Sequence, residues 1–140
     1  MEYMPNFKLH RPTDVEEAVR LRTDSDDARY VAGGTDMIVN VRRGIEQPKA
    51  LVDLSAIEEM KSISKDADGL HIGAGVTLDV IANDARIQKD FAAVAEGAAA
   101  VAGPTHQKYG TLGGNLCLDT RCLFYNQSEW WRQSNDYCLK

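Results

Sequence analysis

The first 116 residues contain no cysteine; Cys117, Cys122 and Cys138 are the three in a chain of 140 residues. A disulfide-stapled scaffold is therefore excluded for most of the chain, and a chain this long can bury a core without one. An odd number of cysteines in one closing stretch points instead to buried thiols, metal ligands or redox groups. Positive charge is also short. Sixteen Lys and Arg stand against 21 Asp and Glu, a net charge of −5, so the basic field that a phosphate backbone requires is missing and nucleic acid is not an expected partner. No stretch approaches the roughly 18 apolar residues of a membrane span, and the opening MEYMPNFKLHRP has no cationic segment leading into an apolar run. Neither a span nor a secretory signal is expected, and the cytoplasm is the default location. The chain also has no G-x-G-x-x-G and no Gly-Lys-Ser/Thr, which excludes the dinucleotide fingerprint and the Walker A loop.

What is present alternates between helix and strand signals, without internal repeat or low-complexity segment. TDVEEAVRLRT offers a capping box, Thr13 with Glu16, ahead of apolar residues at 15, 18, 19 and 21, which predicts a helix. RYVAGGTDMIVNVRRG and KALVDLS then predict a strand ending at Val31 or Ala32, a Gly-Gly turn, a helix from about Thr35 to Arg43 closed by Gly44, and a strand over 50–54. That is a small parallel βαβ unit. From Ser55 the pattern changes to a short capped helical turn and then a hairpin around an Asp-Gly turn in KSISKDADGLHIGAGVT. After Thr77 two helices are expected, the second alanine-rich, and PTHQKYGTLGGNLC reads as glycine-punctuated loop. The expected fold is mixed, α+β or α/β, in three parts: a βαβ subdomain over 1–55, a sheet-plus-helix subdomain over 56–116, and a cysteine-bearing segment over 117–140.

Two glycine turns are the candidates for chemistry. Ala32, Gly33, Gly34, Thr35 and Asp36 lie where a strand hands over to a helix, so their backbone amides can hold an anionic group such as a pyrophosphate. The plainer reading is a tight βα turn, and the pattern alone leaves both open. Thr111, Gly113, Gly114 and Asn115 pair glycine with a hydroxyl and an amide, a composition suited to wrapping a polar ligand. Two such turns about eighty residues apart suggest one large ligand gripped from two sides. His10, His71 and His106 are isolated in sequence, and no motif supports a nucleophile pair from Cys117 and His106. Asp24, Asp26 and Asp27 read as a solvated loop, and Trp130 and Trp131 as packing residues.

VAGGTDM, LHIGAGVTL and GTLGGNL, in that order, resemble the FAD-binding medium subunit of the molybdenum hydroxylases, the family of xanthine dehydrogenase and carbon monoxide dehydrogenase. The likeness runs along almost the whole chain. It implies that Ala32 to Asp36, with Thr111, Gly113, Gly114 and Asn115, cradle the diphosphate and ribityl chain of FAD. Family members often carry an Arg-Asn pair shortly before the second loop, where this chain has Lys108 and Tyr109.

The closing CLDTRCLFYNQSEWWRQSNDYC resembles the iron–sulfur insertion of the beta subunit of 4-hydroxybenzoyl-CoA reductase. That resemblance implies a 4Fe-4S cluster with Cys122 and Cys138 in the first two of four ligand positions, and a chain that is an N-terminal fragment cut inside the cluster loop. It further implies a molybdenum-cofactor large subunit and a 2Fe-2S small subunit as partners, and a low-potential donor such as ferredoxin. Without the resemblance the cysteine spacing fits neither zinc pairs nor ferredoxin runs, and the thiols read as ordinary. Cys117, beside the second loop, is expected to be a packed thiol and not a ligand. Two further readings stay open: the FAD subunit of an aerobic hydroxylase that hands substrate electrons to NAD or oxygen, and a folded module without a redox centre.

Overall fold

The computed structural model describes residues 4–118 and 129–137, the side chains of Glu129 and Trp130 excepted. Strands β1 (Lys8–His10), β2 (Ala28–Val31) and β3 (Ala50–Asp53) form a parallel sheet in the order β1-β3-β2, with His10 and Tyr30 both level with Val52. The last strand in sequence is the middle one in space and is buried at Ala50, Leu51 and Val52. Burying a side chain such as Leu51 contributes about 1.5–3 kcal/mol, so β3 is the strand that makes the sheet worth forming. Strand β1 carries no such signal. It has three residues, with Lys8 and Leu9 exposed, and is held by backbone pairing to β3.

Helix α1 (Val15–Thr23) joins β1 to β2. Its cap is displaced by one residue from the Thr13/Glu16 pair. Asp14 Oδ1 accepts from the Glu17 amide at 2.7 Å, while Glu17 Oε2 accepts from the Thr13 amide at 3.4 Å. A carboxylate beside the helix start is the stronger acceptor for its orphan amides, and that selects Asp14 over Thr13. Helix α2 (Met37–Arg42) joins β2 to β3 and ends at Gly44, whose φ of 72° puts it in the left-handed region used to close helices. Ala18, Ala28, Ala50, Val52 and Ile57 form the first core, with Met60 packed against it, so this core extends beyond β3 into the two 3-10 turns at Leu54–Ala56 and Glu58–Lys61.

The hairpin forms as the Asp-Gly turn suggests: β4 (Ile63–Lys65) pairs antiparallel with β5 (Leu70–Ile72), and Asp66 accepts from the amides of Asp68 and Gly69. The expected first helix after Thr77 is two helices, α3 (Leu78–Asn83) and α4 (Ala85–Asp90). Asp84 divides them, because its carboxylate accepts from the Arg86 and Ile87 amides and starts a new helix. The Arg86 guanidinium beside it, aided by those amides against some desolvation, lowers its pKa to about 2. Helix α5 (Ala92–Ala100) is the alanine-rich one. Val76, Leu78, Ile81, Ile87, Ala95 and Ala98 make the second core.

PTHQKYGTLGGNLC is not a loop. It folds into α6 (Pro104–Tyr109) and α7 (Leu112–Leu116). Proline sits at the first position of α6, where its missing N–H costs nothing, and Thr111 caps α7 through its hydroxyl. Helix α8 (Glu129–Ser134) carries the tryptophan pair, with Trp131 half-buried. No helix among the described residues is long and apolar enough to cross a membrane.

Candidate functional site

Strand β2 ends at Val31, level with Asp53 at the carboxyl end of β3. The turn that follows therefore lies at the edge of a parallel sheet where open α/β folds hold their ligands. In that turn the amides of Gly33, Gly34 and Thr35 donate to no acceptor among the described residues. Gly34 has φ 71°, a conformation that costs other L-residues about 1–2 kcal/mol. Successive free amides around a left-handed residue make an anion-binding concavity. Asp36, at the foot of α2, accepts from Asn40 Nδ2 at 3.1 Å. As an acceptor it suits a sugar or ribityl hydroxyl and not a phosphate.

The second motif is built differently, because its amides are already engaged. Leu112 donates to Val76 O at 2.8 Å, Gly113 to Ala74 O at 2.8 Å, Gly114 to Thr111 Oγ1 at 3.1 Å and Asn115 to Thr111 O at 3.1 Å. Asn115 Nδ2 also donates to Thr111 O, at 2.8 Å. The amides from Leu112 to Asn115 are thus spent; the polar groups left are the amide and hydroxyl proton of Thr111, a buried residue, and the Asn115 side-chain oxygen. Gly113 is glycine for packing. A Cβ there would stand 2.8 Å from Ala74 Cβ and 3.0 Å from Ala74 O. The middle motif, LHIGAGVTL, is what the second leans on: Leu78 donates to Gly110 O at 2.9 Å and Thr77 bridges to Thr111.

The two glycine turns touch. A Cβ on Gly33 would lie 1.7 Å from Tyr109 O and 2.4 Å from Tyr109 C, so the absence of that atom is what admits the backbone before the second motif. All three motifs, distant in sequence, are thereby joined through main-chain contacts into one surface. Sequence reasoning identified the glycines but missed Tyr109, Gly110 and Ala74, whose parts are played by backbone atoms that no residue type advertises. A dinucleotide phosphate flanked by hydroxyl-bearing chains fits this surface, since it needs unspent amides at its centre and neutral acceptors beside it.

Cys117 closes α7 at its C-cap and is exposed, not packed. Cys122 and Cys138 lie outside the described residues, and among the described residues no group of three or more His, Cys, Asp or Glu is placed to hold a metal.

Residues 5–123 match the family described as FAD binding domain in molybdopterin dehydrogenase. The xanthine dehydrogenase FAD-binding subunit of Escherichia coli O157:H7 is 30% identical over 109 residues, covering 77% of this chain and 37% of that protein. The carbon monoxide dehydrogenase medium chain of Hydrogenophaga pseudoflava is 30% identical over 113 residues, covering 80% of this chain and 39% of its own length. The structure of that organism's carbon monoxide dehydrogenase lacking the Mo-pyranopterin moiety superposes with a TM-score of 0.79 at 30% identity, over 81% of this chain and 40% of that one. Quinoline 2-oxidoreductase from Pseudomonas putida 86 superposes at 0.78 with 32% identity and the same coverage. The chain thus spans about two fifths of the length of these relatives, and its mixed α/β fold is theirs.

Proposed function

Because the chain belongs to the family of FAD-binding domains of molybdopterin dehydrogenases, we propose that it forms the diphosphate and ribityl grip of a flavoprotein subunit in a molybdenum enzyme. The observation that carries this is the run of unengaged amides at Gly33, Gly34 and Thr35, set against a second motif whose amides from Leu112 to Asn115 are spent on holding it in place. Gly33 to Thr35 hold the diphosphate, and Asp36, Thr111 and Asn115 meet the hydroxyls on either side. FAD, when bound, supplies reversible electron transfer. This chain's residues bind and orient it and carry out no substrate chemistry.

More specifically, the subunit belongs to a 4-hydroxybenzoyl-CoA reductase. It takes electrons from a low-potential donor such as ferredoxin and passes them towards a molybdenum-cofactor large subunit, in company with a 2Fe-2S small subunit. The likeness of the stretch from Cys117 onward supports this, with Cys122 and Cys138 as two of four thiolates around a 4Fe-4S cluster. A second reading, with electrons running from substrate to NAD or oxygen, is favoured by the relatives, which include a xanthine dehydrogenase and a carbon monoxide dehydrogenase.

Single Cys117→Ser, Cys122→Ser and Cys138→Ser variants of the full-length gene product decide between them, with iron and flavin measured on the same samples. The reductase reading expects iron loss in the Cys122 and Cys138 variants only, with flavin retained in all three. No iron in the unmodified protein would leave the oxidative reading. No flavin in it would remove both.

A further inference from the structure

We infer that Tyr109 supplies an aromatic face against one of the two planar ring systems of the dinucleotide, and so acts as a cofactor-binding residue beyond the two glycine motifs. The inference rests on the FAD reading above. Three features of the molecule lead to it. First, the Tyr109 carbonyl is the group that fills the space beside Gly33, which places this residue's main chain directly against the turn whose amides are free. Second, Tyr109 is 61% exposed, and no hydrogen bond engages its phenol among the described residues. Exposing so large a ring forgoes the burial that usually stabilises it, while its polar end finds no compensating protein partner. Third, VAGGTDM, LHIGAGVTL and GTLGGNL contain no Phe, Tyr or Trp, and of the two aromatic residues that abut them Tyr30 donates its hydroxyl to Ala18 O at 3.4 Å, which leaves Tyr109 as the one whose ring and phenol are unengaged among the described residues.

A dinucleotide presents two flat ring systems on either side of its diphosphate. The glycine motifs meet the diphosphate and the hydroxyls, but offer those rings no flat partner. An aromatic side chain beside the cradle meets that need, because stacking depends on a π-face and tolerates any planar ring. The position also explains how the ring is held. Gly110 donates to His106 O at 2.6 Å and accepts from Leu78 at 2.9 Å, so the backbone on the carboxyl side of Tyr109 is fixed from two directions.

The test uses the full-length gene product stripped of flavin and titrated with FAD, comparing Tyr109→Ala, Tyr109→Phe and Gly33→Ala. Tyr109→Ala should weaken FAD binding roughly tenfold, as loss of one stacked ring does, while Tyr109→Phe, which keeps the face, should bind as the unmodified protein does. Flavin fluorescence in the bound state identifies the ring. A rise on Tyr109→Ala assigns the isoalloxazine, and unchanged fluorescence with weaker competition by ADP assigns the adenine. Thermal unfolding of the stripped variants is read beside the titration, because loss of a residue that merely supports the fold lowers the melting temperature together with the affinity, whereas loss of a stacking ring lowers the affinity alone. Unchanged FAD affinity in Tyr109→Ala, with affinity lost in Gly33→Ala, overturns the inference and leaves the FAD grip standing. Equal loss in the Ala and Phe variants also overturns it, by assigning the effect to the hydroxyl. Unchanged affinity in both Tyr109→Ala and Gly33→Ala removes the FAD grip itself.

Discussion

Replacing Gly33 by alanine should separate the two glycine motifs, and the size of the effect can be worked from the contact that the glycine permits. A Cβ on Gly33 would stand 1.7 Å from Tyr109 O, 2.4 Å from Tyr109 C and 3.1 Å from Gly110 N. Non-bonded heavy atoms rest at about 3.5 Å, so the two segments must part by roughly 1.5–2 Å. No flexible side chain can swing aside to absorb that, because all three atoms are main chain. Gly110 is moreover tied to His106 and Leu78. Overpacking of this kind costs about 1–3 kcal/mol or more. Gly34→Ala is the graded comparison. Its penalty is the left-handed φ of 71°, about 1–2 kcal/mol, and its nearest neighbour is the movable Ile38 Cγ1 at 3.0 Å. The flavin-to-protein ratio of the full-length gene product, read beside its thermal unfolding, should therefore fall further for Gly33→Ala than for Gly34→Ala. Full flavin and unchanged unfolding in Gly33→Ala would refute the reasoning, since the motifs would then not be joined at that point.

Two further outcomes test the fold away from the cradle. Gly97 lies inside α5 with nothing within 4 Å of where a Cβ would sit, so Gly97→Ala should stabilise by about 0.5–1 kcal/mol in denaturant unfolding. Asp84 has its pKa lowered to about 2, chiefly by Arg86. A depressed carboxylate contributes stability that is present above its ordinary value, 3.8, and lost as the pH falls from there towards about 2. Asp84→Asn should therefore flatten the fall in melting temperature across that window, and an identical acid limb in both proteins would contradict the Arg86 pairing.

Legibility in the sequence followed the physics of each signal. The βαβ unit was readable because Val31, the Gly-Gly pair, Gly44 and the run at 50–54 each impose a local conformation that needs no distant partner. The hairpin was readable for the same reason, through the Asp-Gly turn. Strand β1 was not, because Lys8 and Leu9 face outward and its pairing is made entirely by backbone to residues forty positions away. The break at Asp84 was hidden because Leu78, Ile81, Ala82 and Ala85 carry one helical spacing across it, and only the capping geometry of a single carboxylate divides the two helices. Helix α7 was hidden by Gly113 and Gly114, which ordinarily oppose helix, and α6 by its shortness between the flanking glycines Gly103 and Gly110. Thr111 overrides that preference locally by accepting from Gly114, while Val76 and Ala74 accept the next free amides.

The same accounting explains why two glycine motifs of similar composition do different work. In the second, glycine is required where Gly113 meets Ala74, and the donors near it are consumed in fixing α7 against the middle motif. In the first, Gly33 is required where it meets Tyr109, and the donors beside it are left over. On the proposed reading one turn is a fastening and the other a cradle, and the fastening meets the cradle through main-chain contact instead of through side chains. A ligand seated on the free amides would lie on the turn that follows β2 and beside Tyr109 and Gly110, of which Gly110 is tied to Leu78 of the second core. Its binding energy then opposes any motion that parts the two, because a ligand that binds only the joined arrangement stabilises that arrangement by mass action. The contact between Gly33 and Tyr109 is accordingly where cofactor affinity and the cohesion of the two cores become one quantity.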